Sequence, residues 1–304
     1  MDPYSSEGEL VNIHTAFHQA QYQTVIDFDT SSFSPSNALA ARLLQLRSHC
    51  AIRQYNAVLT SVSASEASST PDLAAARLLA TYGQEASSGS ASTKTVAEAE
   101  KLAEAQGDNL GVQICVGTVL AAAGEYDKAL ALLKKHQGSL DAVALIVQVY
   151  LLQNRTDLAA KECRAARGFA QDALLVNLGE AWVGMREGGE KYQQSFYVFE
   201  ELAQAPSTQA PQSLVAQAVS ELHLGRWPEA ETALQQAIGQ DANSADALAN
   251  QAVLNTILGN SEEADAAVKK LEGADKAHPM LEEIVKRKEA FEAAAAKYTP
   301  KFEP

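Results

Sequence analysis

Residues 213–240 read SLVAQAVSELHLGRWPEAETALQQAIGQ, and residues 247–273 read ALANQAVLNTILGNSEEADAAVKKLEG. Set on Gly225 and Gly259, which lie 34 residues apart, the two stretches are one helix-turn-helix pattern written twice. Each glycine predicts the end of a first helix in a left-handed cap, a backbone state that side chains with a Cβ resist. Five residues beyond each glycine stands a small residue, Ala230 or Ala264, and seven residues before it stands Ala218 or Ala252. Small side chains at those sites let the two helices of a pair approach closely. Trp227 follows the first turn at the site that Ser261 takes in the second copy.

The same pattern recurs upstream in weaker copies: GEYDKAL with Gly124, Tyr126 and Ala129, NRTDLAA with Asn154, Thr156 and Ala159, and KYQQSFYVFEEL with Tyr192, Ser195 and Phe199. Two more begin at Tyr22 and Tyr55. The series 22, 55, 126, 156, 192, 227, 261 is spaced by 33, 71, 30, 36, 35 and 34 residues, and 71 is close to two periods. A degenerate unit is therefore expected between Tyr55 and Tyr126, built from Asp72–Glu85 and Thr95–Ala105 and split by the loop ASSGSASTK. TSSFSPSN and TSVSASEASSTP read as connections that end in Pro35 and Pro71, each tolerated in the first turn of a new helix. A period of about 34 residues is that of tetratricopeptide repeats. The predicted fold is all-α: a single tetratricopeptide-like solenoid over residues 1–304, a right-handed superhelix of about eight helix pairs. A C-terminal capping helix over 279–298 is expected to cover its open end through Ile284, Phe291 and Tyr298, seven apart on one stripe.

Hydrophobic residues make up 46% of the chain and charged ones 20%, the balance of a folded, water-exposed protein. A net charge of −14 opposes nucleic-acid phosphates and anionic lipid, so no nucleic-acid partner is expected. MDPYSSEGEL has no basic segment followed by an apolar one, and KFEP carries no lipidation signal. The longest apolar run, Ala142–Leu152, is interrupted by Gln148 and too short to span a bilayer. Cys50, Cys115 and Cys163 lie far apart inside predicted helices, as reduced core thiols of a cytoplasmic protein would. The expectation is a chain neither secreted nor transmembrane.

Reactive chemistry finds little support. His14 and His18, four apart, share a helical face at the spacing of a zinc pair, but no Glu follows His14 and no third ligand is evident. They read as two polar residues on the first helix. Asn154-Arg155-Thr156 matches a glycosylation acceptor by chance at a turn, and GMREGG, residues 184–189, lacks the preceding strand of a phosphate loop. No nucleophile-base grouping stands out. No enzyme activity, metal, cofactor or small-molecule substrate is expected.

In a solenoid of this kind the first helix of each pair lines the concave side. Its residues here are Ile114 and Thr118, Ala144 and Gln148, Val176 and Glu180, Val215 and Val219, Ala249 and Val253. A groove that grips an acidic peptide end needs cationic and amide donors, and these positions supply none of the Lys and Asn of such a clamp. The candidate partner-binding set is apolar: Val176, Val183, Val215, Val219, Leu222, Val253 and Ile257. An apolar groove left wet is costly, so a partner segment buried there more or less permanently is expected, while superhelical twist could instead turn these residues into core.

Three stretches in order carry a wider resemblance: FDTSSFSPSNALAARLLQLRSHCAIRQYNAVLTSV at 28–62, KYQQSFYVFEELAQ at 191–204, and the closing His278-Pro279, Phe291 and KYTP. Together they make the chain similar, over nearly its whole length, to the epsilon-subunit family of coatomer, the COPI vesicle coat. The stretch Ser87–Thr93 and the tail Ala293–Ala296 depart from that pattern. The resemblance implies a non-catalytic coat component that holds the carboxy-terminal region of the alpha subunit and serves retrograde Golgi-to-ER and intra-Golgi transport. It also implies a cytoplasmic protein that meets Golgi membranes and coated vesicles only peripherally, through the assembled coat. The competing expectation is a peptide-binding adaptor or co-chaperone of the same fold, which would exchange partners and need a polar groove.

Overall fold

The computed structural model describes residues 8–90, 92–204 and 210–299. The readings of MDPYSSE and KFEP, and of residue 91 in the serine-rich loop, lie outside the described residues. All regular structure among the described residues is helical. Eight helix pairs follow one another: α1 (Val11–His18) and α2 (Tyr22–Ile26), then α3 (Pro35–Ala51) and α4 (Tyr55–Ser61). A short α5 (Ala64–Ser69) precedes the pair α6 (Pro71–Ser87) and α7 (Thr93–Gln106). The series continues with α8 (Leu110–Ala122) and α9 (Tyr126–Leu133), α10 (Leu140–Leu152) and α11 (Thr156–Arg167), and α12 (Leu174–Glu187) and α13 (Lys191–Gln204). It ends with α14 (Pro211–Leu224) and α15 (Trp227–Gln240), α16 (Ala245–Leu258) and α17 (Ser261–Ala274), and a last helix α18 (Pro279–Ala295). This is a helical-repeat solenoid of the tetratricopeptide kind. No described helix is long and apolar enough to cross a membrane.

The turn chemistry explains why the pairs repeat. Gly225 and Gly259 adopt φ of +74° and +80°, and their N–H groups bond the carbonyls of Leu222 and Thr256. The same left-handed state falls two residues before the second helix of four other pairs, at Ala20, Arg53, Gly124 and Asn154. Proline opens α3, α6, α14 and α18, where a missing N–H costs nothing. Asn109 caps α8 by accepting from the Val112 N–H at 2.9 Å. Ala129, Ala218 and Ala230 are fully buried, as the close approach of paired helices requires.

The expected degenerate unit is α6 with α7. One difference lies just before it, where the serine-rich connection TSVSASEASSTP holds the short helix α5. Ser63 and Glu66 bond each other's backbone N–H groups there, a capping box that turns a linker-like composition into a helical turn. A second difference is α18, which ends at Ala295 and packs through Met280 and Leu281 against Leu248, Ala249 and Leu271. The stripe expected to cover the solenoid end faces water instead: Ile284, Phe291 and Tyr298 are 39%, 73% and 77% exposed.

The chain divides into two compact units, Met1–Thr208 and Gln209–Pro304. In the first, an apolar core runs from Leu43 and Leu46 through Val112, Val116 and Ile146 to Val176 and Val183. A smaller cluster of Leu10, Ile13, Val25, Ala41 and Leu44 binds α1 to α2 and α3. The second unit is cored by Ala218, Ala233, Leu234 and Leu254, with Leu222 and Trp227 packed against them.

Candidate functional site

Two regions of the first unit and of the second carry features that a plain stack of repeats does not need. In the first unit, α1 packs on its sequence neighbours α2 and α3 and also reaches α10 and α12. His14 and His18 sit one helical turn apart and aim both rings at a single side chain. That side chain is Asp141 in the first turn of α10: His14 Nε2 lies 2.7 Å from Oδ2, and His18 Nε2 lies 3.2 Å from Oδ1. Arg47 of α3 donates to the same Oδ1 at 3.1 Å and lays its guanidinium 4.4 Å from the centre of the Phe17 ring. Asp141 is nearly inaccessible, its side chain 3% exposed. A cavity of about 260 Å³ adjoins it, lined by Tyr22, Ile114, Gln148 and Trp182 among others.

Burial opposes ionisation of Asp141, but the charge of the His18 ring, the bonds from both imidazoles and the fixed charge of Arg47 outweigh it and hold the carboxyl well below its ordinary range. His18 is displaced the other way from a free imidazole with a carboxylate: loss of water lowers it, against the attraction of Asp141. The sequence offered no third group beside the histidines. The structure supplies Asp141 from 123 residues beyond His18, and the donor atoms of the three side chains lie within 4.8 Å of one another. Such donors suit a transition metal. Arg47 already takes the cation's place on Asp141, however, and a divalent ion beside that guanidinium would stack positive charge in a poorly hydrated pocket. The cluster is an ion pair of Arg47 and Asp141 with both imidazoles hydrogen-bonded to the same carboxylate.

The candidate partner-binding residues fall into two groups. Val176, Val183 and Val215 are 3%, 5% and 7% exposed, so their side chains pack within the chain itself. Val219 and Leu222 are half-buried on α14, while Val253 and Ile257 of α16 are 38% and 50% exposed. Leu258 beside them, 42% exposed, extends the apolar edge and was missed because the turn glycine follows it directly. Of the other concave positions, Ile114 and Ala144 are buried. Glu180 is held by a two-pronged pair with Arg167, both bonds 2.6 Å long.

A stack of paired helices with an apolar edge left open defines a tetratricopeptide-like repeat scaffold. Among solved structures the fold resembles a chain of the APC/C heterotetramer Cut9–Hcn1, with a TM-score of 0.60 at 14% identity over 93% of this chain and 55% of that one. It also resembles a tetratricopeptide repeat protein from Parabacteroides merdae, with a TM-score of 0.58 at 14% identity over 88% of this chain and 98% of the other. The sequence is more specific. Residues 6–299 match the family described as Coatomer epsilon subunit. Coatomer subunit epsilon-1 of Oryza sativa subsp. japonica is 30% identical over 296 residues, covering 95% of this chain and 98% of the relative. Probable coatomer subunit epsilon of Schizosaccharomyces pombe is 28% identical over 257 residues, covering 84% and 83%. The chain belongs to the coatomer epsilon subunit family.

Proposed function

We propose that this chain is a non-catalytic structural subunit of the COPI coat that binds and stabilises the carboxy-terminal region of the alpha subunit. Its place is then in retrograde Golgi-to-ER and intra-Golgi transport, in the cytoplasm, on Golgi membranes only through the assembled coat. The observation that carries the reading is the family match over residues 6–299. The apolar edge of Val253, Ile257 and Leu258 supports it, since an adaptor that exchanges charged peptides would present donors there. The mechanism is rigid presentation: an exposed apolar edge of the second unit, Val253, Ile257 and Leu258 continued by Val219 and Leu222, is what a coat chain covers, with Val215 packed beneath it in the same unit and Val176 and Val183 packed within the first unit.

The test is co-purification with an alpha-subunit carboxy-terminal fragment. Val253→Glu with Ile257→Glu places two charges on side chains that are open in the free chain, so the fold is expected to survive while capture fails. Glu262→Lys with Glu263→Lys, on the exposed start of α17, is expected to leave capture intact. Capture by a folded Val253→Glu, Ile257→Glu chain would move the interface off this edge. A natively purified chain that elutes alone in size exclusion would favour the adaptor reading instead.

A further inference from the structure

Helix α18 leaves the second unit after its first turn. Met280 and Leu281 pack against Leu248, Ala249 and Leu271, and every residue from Glu282 to Thr299 is exposed. A helix of this length is marginal when water surrounds it, and this one carries Ile284, Val285 and Phe291 out at 39%, 54% and 73% exposure. We propose that α18 is a self-association helix, pairing in parallel with α18 of a second copy of this chain along the stripe of Ile284, Phe291 and Tyr298. The proposal concerns copies of this chain alone and does not rest on the identity of any coat partner.

The spacing selects a helix as the occupant. Ile284, Phe291 and Tyr298 recur every seven residues, the repeat that keeps a seam turned toward one facing helix. With these three at the d positions, Leu281, Lys288 and Ala295 fall at a, Val285 and Glu292 at e, and Arg287 and Ala294 at g. Leu281 is taken up by its own chain, so the open seam runs from Ile284 to Tyr298, just past the helix end at Ala295. A lone lysine at a, here Lys288, costs stability but fixes register and the number of strands. Three layers bury less than the roughly 1,200 Å² at which stable interfaces begin, so the pair forms at micromolar concentrations rather than below.

Charge selects a second copy and a direction. Residues 282–298 set Glu282, Glu283, Glu289 and Glu292 against Lys286, Arg287, Lys288 and Lys297, so the segment is neutral although the chain carries −14. Two copies meet here without local repulsion, and charges more than about 10 Å away are largely screened at physiological salt. In a parallel pair the g residue of one helix faces the e residue of the next heptad on the other, which brings Arg287 to Glu292 of the second copy, twice by symmetry. Arg287 is 81% exposed, and its bond to Glu283 on the same helix is 3.4 Å long. An antiparallel pair sets e against e and g against g, so Glu292 would lie near Val285 and the opposite charges would not meet.

Sedimentation velocity of the full chain from about 1 to about 200 μM tests the pairing. The mass should move from that of one 32.4 kDa chain toward that of two as concentration rises. Phe291→Glu puts a charge into the seam of a helix with nothing packed on it, so the chain should stay monomeric throughout with helical circular dichroism unchanged. In a Glu283→Gln background, which removes the bond within the helix, Arg287→Glu or Glu292→Arg turns both cross-pairs into repulsions. Each should weaken the dimer about tenfold, and the two together should restore it. Val253→Glu with Ile257→Glu should dimerise as the unmodified chain does, which separates this contact from the edge assigned to a coat chain. A chain monomeric at every concentration, a dimer that survives Phe291→Glu, or one that Val253→Glu with Ile257→Glu dissolves overturns the proposal. A dimer that the double charge exchange fails to restore overturns the parallel register, and the proposal with it.

Discussion

At the residue scale the backbone decides what a side chain does, and two glycines of the second unit show it with opposite signs. Gly259 sits at φ +80° and Gly239 lies within α15, and a Cβ added at either would meet nothing within 4 Å. With no steric term at either place, Gly259→Ala should destabilise by about 1 kcal/mol or more, because alanine must hold a left-handed conformation. Gly239→Ala should stabilise by a few tenths up to about 1 kcal/mol, because the same methyl removes chain freedom only from the unfolded state. Urea midpoints of the two variants, followed through Trp227, check both, and equal signs would refute the argument. The left-handed turn was legible where glycine wrote it, at Gly124, Gly225 and Gly259. At Ala20 and Arg53 the residue type hides it, and only the position two residues before Tyr22 and Tyr55 marks the same turn. The His14, His18 and Asp141 cluster was half legible: helical spacing gives the histidine pair, but a carboxylate brought from another repeat leaves no trace in local spacing.

At the scale of elements, the period carried the reading because each pair must bury the same small-residue face. Ala129 and Ala230, both fully buried near the start of α9 and α15, embody that requirement. Ala129→Trp or Ala230→Trp should therefore destabilise by about 1–3 kcal/mol or more, since a large ring must force the paired helices apart. Unchanged denaturant midpoints in both variants would break the assignment of these sites. The elements that sequence misjudged lack such a repeated constraint. Helix α5 is made by one local capping box within a serine-rich stretch, and α18 by helix-favouring composition with only Met280 and Leu281 to anchor it. Periodicity shows that Ile284, Phe291 and Tyr298 share a face; it cannot say that the face has a neighbour. A partner edge is hard to read for the same reason, because Val219 and Val253 hold the same place, six residues before Gly225 and Gly259, while one is half-buried and the other open.

At the scale of the whole molecule, the question is whether the first unit behaves as a row of repeats or as one cooperative body. Repeats that touch only their neighbours unfold in steps set by local stability. The contact at Asp141 changes that expectation, since hydrogen bonds from α1 and α3 to its carboxylate make the first two pairs and the α10 pair depend on one another. Three thiols in this unit measure the outcome: Cys50 on α3, Cys115 on α8 and Cys163 on α11. Burial pushes Cys50 and Cys163 up to about 12 and Cys115 up to about 11, so at mildly alkaline pH the folded chain offers almost no thiolate. An unfolded cysteine, near 8.5, offers a substantial fraction, and alkylation should accelerate about a hundredfold or more on exposure. A pulse of iodoacetamide across a urea series should therefore label all three at one midpoint. Asp141→Asn removes the shared carboxylate charge without changing size and should split the curve, with Cys50 labelled at lower urea than Cys163. Stepwise labelling in the unmodified chain would mean that the contact is too weak to couple the repeats. A single midpoint in Asp141→Asn would mean that the continuous apolar core from Leu43 to Val183 supplies the cooperativity by itself.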